Sequence, residues 1–280
     1  MTATQTGTVE VNGAELYFER RGSGPALVLI AGGAGSGLAW RHAAELLADS
    51  YTVVTYDRRG SGRSPGPPGW TTTTVAEQAD DCVGLIRALE LDRPVIVGHS
   101  NGGTVLVGLA QRHGSELGGA VVVEPLLGAV SPTFPRFVEE TTTLTADALA
   151  QGDVDAMWET LNRWMFGEEV WDQFPPDVAD QERADGEMNA TIVWPAISSF
   201  APDPVALAAC PAPVHAVHGA DTGPPIEVFV ESARWVAEIS GGPLHVFPGG
   251  HLEGTINPER FVAALRPVLA SMREPSAPRP

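Results

Sequence analysis

The 280-residue sequence contains no lysine; its 17 basic residues are all arginines. Without lysine there is no P-loop, whose lysine grips the phosphates of a nucleotide. The arginines face 35 acidic residues, for a net charge of −18. That balance argues against nucleic acid and anionic membranes as partners. Cysteine is scarce: Cys82 and Cys210 stand far apart, without metal-ligand spacing or a disulfide framework. No metal is expected, and a thiol-tolerant cytoplasm is the expected location. No apolar run approaches the roughly 18 residues that span a bilayer. Residues 1–13 lack the basic start and apolar stretch of a signal peptide. Small molecules remain as partners, and the oligomeric state stays open, a homodimer included.

What the chain does have is Val95-Ile96-Val97-Gly98-His99-Ser100-Asn101-Gly102-Gly103. Four apolar or small residues predict a buried strand, and the periodic apolar positions of 104–111 predict a helix. Gly-x-Ser-x-Gly between a strand and a helix is the context of a nucleophile elbow, a sharp turn that lifts a serine hydroxyl above a sheet. Gly98 and Gly102 supply the room such a turn needs. Gly62-Arg63-Ser64-Pro65-Gly66 matches the same pattern but fails physically. Pro65 has no N–H to stabilise an oxyanion, and the nearby prolines allow no helix to follow. Ser64 is therefore expected to be a loop serine.

Along the chain, Asn12-Gly13 predicts a hairpin turn. Buried strands are predicted at 26–30, 52–56, 95–98, 119–123, 213–217 and 244–247. Helices over 74–90, 226–239 and 258–270 alternate with them. This pattern predicts an α/β fold with a mostly parallel sheet flanked by helices. Residues 126–202 break it: no strand run, short helices at 145–151, 154–166 and 176–191, and four of the seven tryptophans. This insertion reads as a helical lid, or as a helical layer completing the core. The expected organisation is core at 1–125 and 203–272, the lid at 126–202, and a proline-rich disordered tail at 273–280.

A serine needs a histidine to take its proton and an acid to fix the imidazole tautomer. In this architecture they follow in the order serine, acid, histidine. Of seven histidines, His251 sits in a Pro-Gly-Gly turn after the last strand, at the sheet edge where ligands bind. The others precede or adjoin the elbow, or lie on strands. Two acids compete: Glu124, ending the strand after the elbow, and Asp221, in the loop after the next strand. The glycine-rich stretch 32–37 does not fit a dinucleotide fingerprint, because position 38 is leucine. It suits an oxyanion loop, with the N–H groups of Gly33 and Asn101 as donors.

Together these residues resemble the α/β-hydrolases: the glycine turn after Ile30, Asp57 to Ser64, the Ser100 elbow and Gly250-His251. The resemblance covers about residues 10–128 and 203–270 and implies the α/β-hydrolase fold. Many relatives place the acid where this chain has Thr222, one position after Asp221. The zearalenone lactonases instead place it where Glu124-Pro125 stands. This chain is similar to them there, in Gly-Ala-x-Thr222, in Ile192-Val193-Trp194 and in Pro248-Gly249-Gly250-His251. The resemblance favours Glu124 and implies that Trp194 packs on the substrate. It implies a cofactor-free serine hydrolase acting on an apolar carboxylic ester or lactone through an acyl-enzyme, with a zearalenone-like macrolactone as one such substrate. Related chemistries of the fold remain as alternatives: methyl ester, peptide or carbon–carbon hydrolysis and cofactor-free haloperoxidation. So does a small-ligand receptor.

Overall fold

The computed structural model describes residues 4–272. The tail expected at 273–280 lies outside the described residues. Eight strands form one sheet. β1 (Gln5–Val11) and β2 (Ala14–Arg21) form the hairpin. Asn12 and Gly13 both take positive φ at its turn, the conformation a two-residue turn needs. The sheet continues through β3 (Ala26–Ile30), β4 (Thr52–Tyr56), β5 (Val95–His99), β6 (Gly119–Val123), β7 (Val214–Gly219) and β8 (Leu244–Phe247). Their order across it is β1-β2-β4-β3-β5-β6-β7-β8. β1 and β2 pair antiparallel, and β2 joins β4 in the same sense. The other pairs are parallel.

Alternation along the strands builds two apolar layers, because successive side chains point to opposite faces. Val28 and Ile30 face a layer shared with α2 (Val75–Ala88), α3 (Asn101–His113) and α11 (Glu227–Ser240). Leu27 and Leu29 face a layer shared with α1 (Arg41–Leu47) and α13 (Pro258–Ser271). The predicted parallel sheet with helices on both faces is what forms. The start of α3 moved: it begins at Asn101, directly after the serine, rather than at 104.

Between β6 and β7 the chain makes helices and no strand. α4 (Phe134–Ala150) is longer than expected, because Pro135 falls in its first turn, where a missing N–H costs nothing. α5 (Val154–Phe166) forms as predicted, and α6 (Glu168–Trp171) follows. The single helix expected over 176–191 is broken. α7 (Pro176–Ala184) ends before α8 (Gly186–Met188), and a π-helical turn (Asn189–Val193) leads into α9 (Trp194–Ser198). Gly186 marks the break after α7, since glycine does not suit a helix interior, and Pro195 sits in the first turn of α9. α10 (Pro204–Ala208) and α12 (Glu253–Ile256) complete the helices. Among the described residues, no helix is long and apolar enough to cross a membrane.

Strand order positions the site. The chain runs from β3 outward to β4, then returns to place β5 on the other side of β3. Loops leaving the carboxyl ends of β3 and β5 therefore diverge, and such a switch point opens a crevice. Gly33 follows β3 and Ser100 follows β5. Glu124 ends β6, and the His251 turn follows β8, along the same edge.

Candidate active site

Ser100 has φ 54° and ψ −123°, a conformation L-residues rarely adopt. Its backbone is over-determined. The Ser100 N–H donates to the Val123 carbonyl at 3.0 Å, and its carbonyl accepts from Thr104 N–H at 3.0 Å as α3 begins. The elbow glycines are required by close approach. A side chain on Gly98 would run into the Gly102 carbonyl, and one on Gly102 into the carbonyls of Ile30 and Ala31. The first N–H groups of α3, beginning with Asn101, have no partner within the helix, and the helix dipole gives that end partial positive charge.

The Gly33 turn faces this helix start. Its φ is +48°, and its carbonyl is pinned by Asn101 Nδ2 at 3.0 Å and Arg58 Nη2 at 2.9 Å. With that carbonyl tied back, the Gly33 N–H has no partner among the described residues. Gly32, Gly33, Ser100, Asn101 and His251 all line one cavity of about 390 Å³.

His251 Nδ1 hydrogen-bonds Glu124 Oε2 at 2.7 Å, and both side chains are almost fully buried. The imidazole packs against three rings: Phe229 at 4.0 Å, His99 at 4.5 Å and Phe166 at 5.5 Å, the last within 7° of parallel. Burial and the adjacent His251 hold His99 down to about 3, so it stays neutral. Glu124 also has a positive φ of 45°. Its N–H donates to Val217 O at 3.0 Å, and its Oε1 accepts from Gly219 N–H at 2.8 Å. Burial alone would raise the Glu124 carboxyl. The hydrogen bond and charge of His251 and the Gly219 N–H outweigh it and bring the carboxyl to about 2. The ring is thus held with Nδ1 on a carboxylate and Nε2 free for other work.

The structure brings together Ser100, Asn101, Gly33, Glu124 and His251, and places Trp194 in the same cavity wall beside Phe137. Asp221 is exposed, its N–H donating to Gly249 O at 2.9 Å, and His251 Nδ1 is bonded to Glu124 instead. Ser64 is a buried loop serine: its hydroxyl donates to Asp57 O at 2.7 Å and accepts from Tyr17 N–H at 2.8 Å. His215 pairs with His245 at 3.0 Å, and His218 bonds Gly219 O at 2.9 Å, so the strand histidines have structural partners. His99, Glu124 and His251 offer ligand atoms within 4.8 Å of one another. A cation there would have to break the 2.7 Å bond between Glu124 and His251.

One residue in the cavity wall gave no sequence signal. Glu182, on α7, points into the Gly33 turn and accepts from Ala34 N–H at 2.9 Å. Phe166 and Phe229, which sandwich His251, were also missed; each looks like an ordinary core position on its helix.

Residues 25–189 match the family model of the alpha/beta hydrolase fold. The chain belongs to that family. The chain is similar to an uncharacterized hydrolase, YraK, of Bacillus subtilis (strain 168). This chain is 36% identical to it over 121 residues, covering 43% of this chain and 45% of YraK. The matched stretch thus spans less than half of that relative. Among solved structures, a thermophilic esterase from Thermogutta terrifontis superposes with a TM-score of 0.76 at 23% identity, covering 96% of this chain and 100% of the other. An N-acyl homoserine lactone degrading enzyme superposes with a TM-score of 0.73 at 23% identity, covering 93% and 99%. At that identity the two structures speak for the α/β-hydrolase fold.

Proposed function

We propose that the protein is a serine hydrolase of apolar carboxylic esters or lactones. The observation that carries this reading is the buried 2.7 Å bond between Glu124 and His251 Nδ1, on the cavity that Ser100 lines in its left-handed elbow. A carboxylate on Nδ1 leaves Nε2 unprotonated, able to take a proton from a hydroxyl. His251 Nε2 accepts the Ser100 proton as Oγ attacks the substrate carbonyl. The resulting oxyanion is held by the N–H groups of Asn101 and Gly33. Each such donor is worth about 100-fold or more in rate. His251 then protonates the leaving alkoxide, and the acyl group stays on Ser100. Water, deprotonated by His251, cleaves the acyl-enzyme and restores the serine. Glu124 remains ionised throughout and stabilises the imidazolium.

The cavity supports an apolar substrate. Beyond the polar groups around Ser100 its wall is largely aromatic and aliphatic, with Phe137, Trp158, Leu161, Phe166, Trp194 and Phe229. Residues 126–202 act as the lid over it, and Trp194 packs on the acyl or lactone ring. A macrolactone of the zearalenone type is the finer proposal, resting on Glu124-Pro125 and the Trp194 segment. The enzyme works in the cytoplasm, where the thiols of Cys82 and Cys210 stay reduced. The test is hydrolysis of a 4-nitrophenyl ester and of zearalenone by the purified protein and by Ser100→Ala. Turnover of the ester that vanishes in the variant is expected; turnover that survives it refutes the assignment. Failure on zearalenone alone removes only the finer proposal.

A further inference from the structure

Glu182 is a buried carboxyl in a largely apolar cavity, and nothing in the triad chemistry uses it. It reaches the site from α7, 148 residues along the chain from the turn it touches. The side chain of Gly33 is absent where the carboxyl sits: any Cβ there would collide with it. Oε2 accepts from Ala34 N–H at 2.9 Å; among the described residues Oε1 takes no hydrogen bond. The residue is 8% exposed, and that exposure is to the cavity holding Ser100.

Oε1 has no donor from the described residues, and a carboxylate only accepts. The charged neighbours do not satisfy it. The Arg58 guanidinium is committed to Gln78 and the Gly33 carbonyl, and Asp185 is a like charge. Burial accordingly pushes Glu182 up to about 7, with Asp185 adding to the rise while Ala34 N–H and Arg58 oppose it. Glu182 lines the same cavity as Ser100 and His251. Ala34 directly follows Gly33, so the carboxyl stands about one residue step, under 4 Å of backbone, from the proposed oxyanion donor.

We propose that Glu182 is a specificity-determining residue that takes a hydrogen bond from a hydroxyl on the acyl part of the substrate, close beside the reacting carbonyl. The substrate class is esters or lactones of hydroxy acids whose hydroxyl lies β to the carbonyl carbon or ortho to it on an aromatic ring. This rests on the hydrolase reading of the same site. It goes beyond it by assigning a group that chooses among apolar acyl chains. A substrate lacking the hydroxyl leaves the acceptor unpaired, and one with a methoxy group there meets a second acceptor. Discrimination of this kind is strong because the site's own polar group is stranded by the wrong substrate.

The experiment compares 4-nitrophenyl 2-hydroxybenzoate with 4-nitrophenyl 2-methoxybenzoate. The readout is the ratio of their kcat/KM values in the wild type, Glu182→Leu and Glu182→Gln. Using the ratio of ratios removes the intrinsic reactivity of the esters. Assayed at about pH 8.5, well above the value of about 7 for Glu182, a hydrogen bond to the charged carboxylate predicts a ratio at least about tenfold lower in Glu182→Leu than in the wild type. Glu182→Gln keeps an acceptor and should fall between; it also serves if the leucine variant fails to fold by circular dichroism. If both esters slow equally in both variants, Glu182 only holds the Ala34 turn and the proposal is wrong. A parallel measurement uses Ser100→Ala, which cannot turn substrate over. It should bind methyl 2-hydroxybenzoate more tightly than methyl 2-methoxybenzoate, and lose that preference when Glu182→Leu is added. If the wild type hydrolyses none of these esters but the binding preference holds, the hydrolase reading fails while Glu182 stands. No binding preference overturns Glu182.

Discussion

Exchanging Glu124 for glutamine removes one charge and almost no volume, and the groups around it decide how much activity is lost. The carboxylate takes two donors, Gly219 N–H at 2.8 Å on Oε1 and His251 Nδ1 at 2.7 Å on Oε2. An amide has one oxygen and one NH₂. If its oxygen keeps the Gly219 N–H, its NH₂ points at Nδ1, which must then be unprotonated. The proton moves to Nε2, and the ring can no longer accept from Ser100. If the amide flips, NH₂ opposes the Gly219 N–H, leaving buried donors unpaired at a cost of about 1–3 kcal/mol. The wrong tautomer is therefore favoured by roughly 5- to 150-fold before the lost carboxylate charge is counted. With the imidazolium also unsupported, a total loss on the order of 10⁴ in kcat is expected, as for the corresponding swap in other triads. The assay is 4-nitrophenyl ester hydrolysis, with circular dichroism to show that the fold persists. Asp221→Asn is the companion, expected to stay within a few-fold of wild type because Asp221 is exposed and His251 Nδ1 is bonded to Glu124 instead. A folded Glu124→Gln with near-normal turnover, or an Asp221→Asn that is the worse of the two, would refute the reasoning.

An active-site fluorophosphonate should modify Ser100 and spare Ser64, whose hydroxyl is locked between Asp57 O and Tyr17 N–H; peptide mapping that finds the label on Ser64 would sink the elbow assignment. Trp194→Ala should cut turnover of bulky aromatic lactones far more than that of a short acetate ester, and equal losses would make Trp194 a plain core residue. Glu182 also predicts a pH effect on stability. Its folded-state value is raised to about 7 from 4.5, so the stability it contributes is complete below pH 4.5 and is lost as pH rises through 7. Arg58 and Asp185 face it. At 1.36 kcal/mol per unit, the wild type should lose on the order of 3 kcal/mol relative to Glu182→Gln between pH 4 and pH 8, measured by urea unfolding. A stability difference that does not change with pH would contradict it.

The legible parts of the fold were those where local chemistry and tertiary demand agree. The buried strands announced themselves as Ala26–Ile30 and Gly119–Val123, near-continuous apolar runs covered on both faces. The elbow was legible because a left-handed serine forces glycines at fixed offsets, and Ser64 could be dismissed on Pro65 alone. His251 was found by its place after the last strand. The choice between Glu124 and Asp221 was harder. Both lie at the same sheet edge, and only the three-dimensional reach to Nδ1 separates them. The inserted helices were legible in kind but not in extent, since prolines at 135 and 195 sit in first turns, where they begin helices rather than break them. Glu182 was invisible. A lone acid on a short polar helix looks solvated until that helix is laid across the sheet edge.

The polar ties between the inserted helices and the core fall in two stretches of the insert, 131–136 and 177–185. In the first, Arg136 pairs with Glu227, and Glu231 accepts from Ser131 and Thr133. In the second, Asp177 bonds Arg41, Glu182 takes Ala34 N–H, and Asp185 takes Gly62 N–H. The span between them, α5 and α6, leans on the core through rings such as Phe166 on His251 and otherwise packs its own small cluster of Met157, Trp158 and Trp171. Aromatic contacts slide at little cost, whereas a buried hydrogen bond must be broken outright. On the proposed lid reading, the middle of the insert is held to the core by packing and its flanks by hydrogen bonds, so an opening of the middle would leave the Glu182 tie to the Gly33 turn in place.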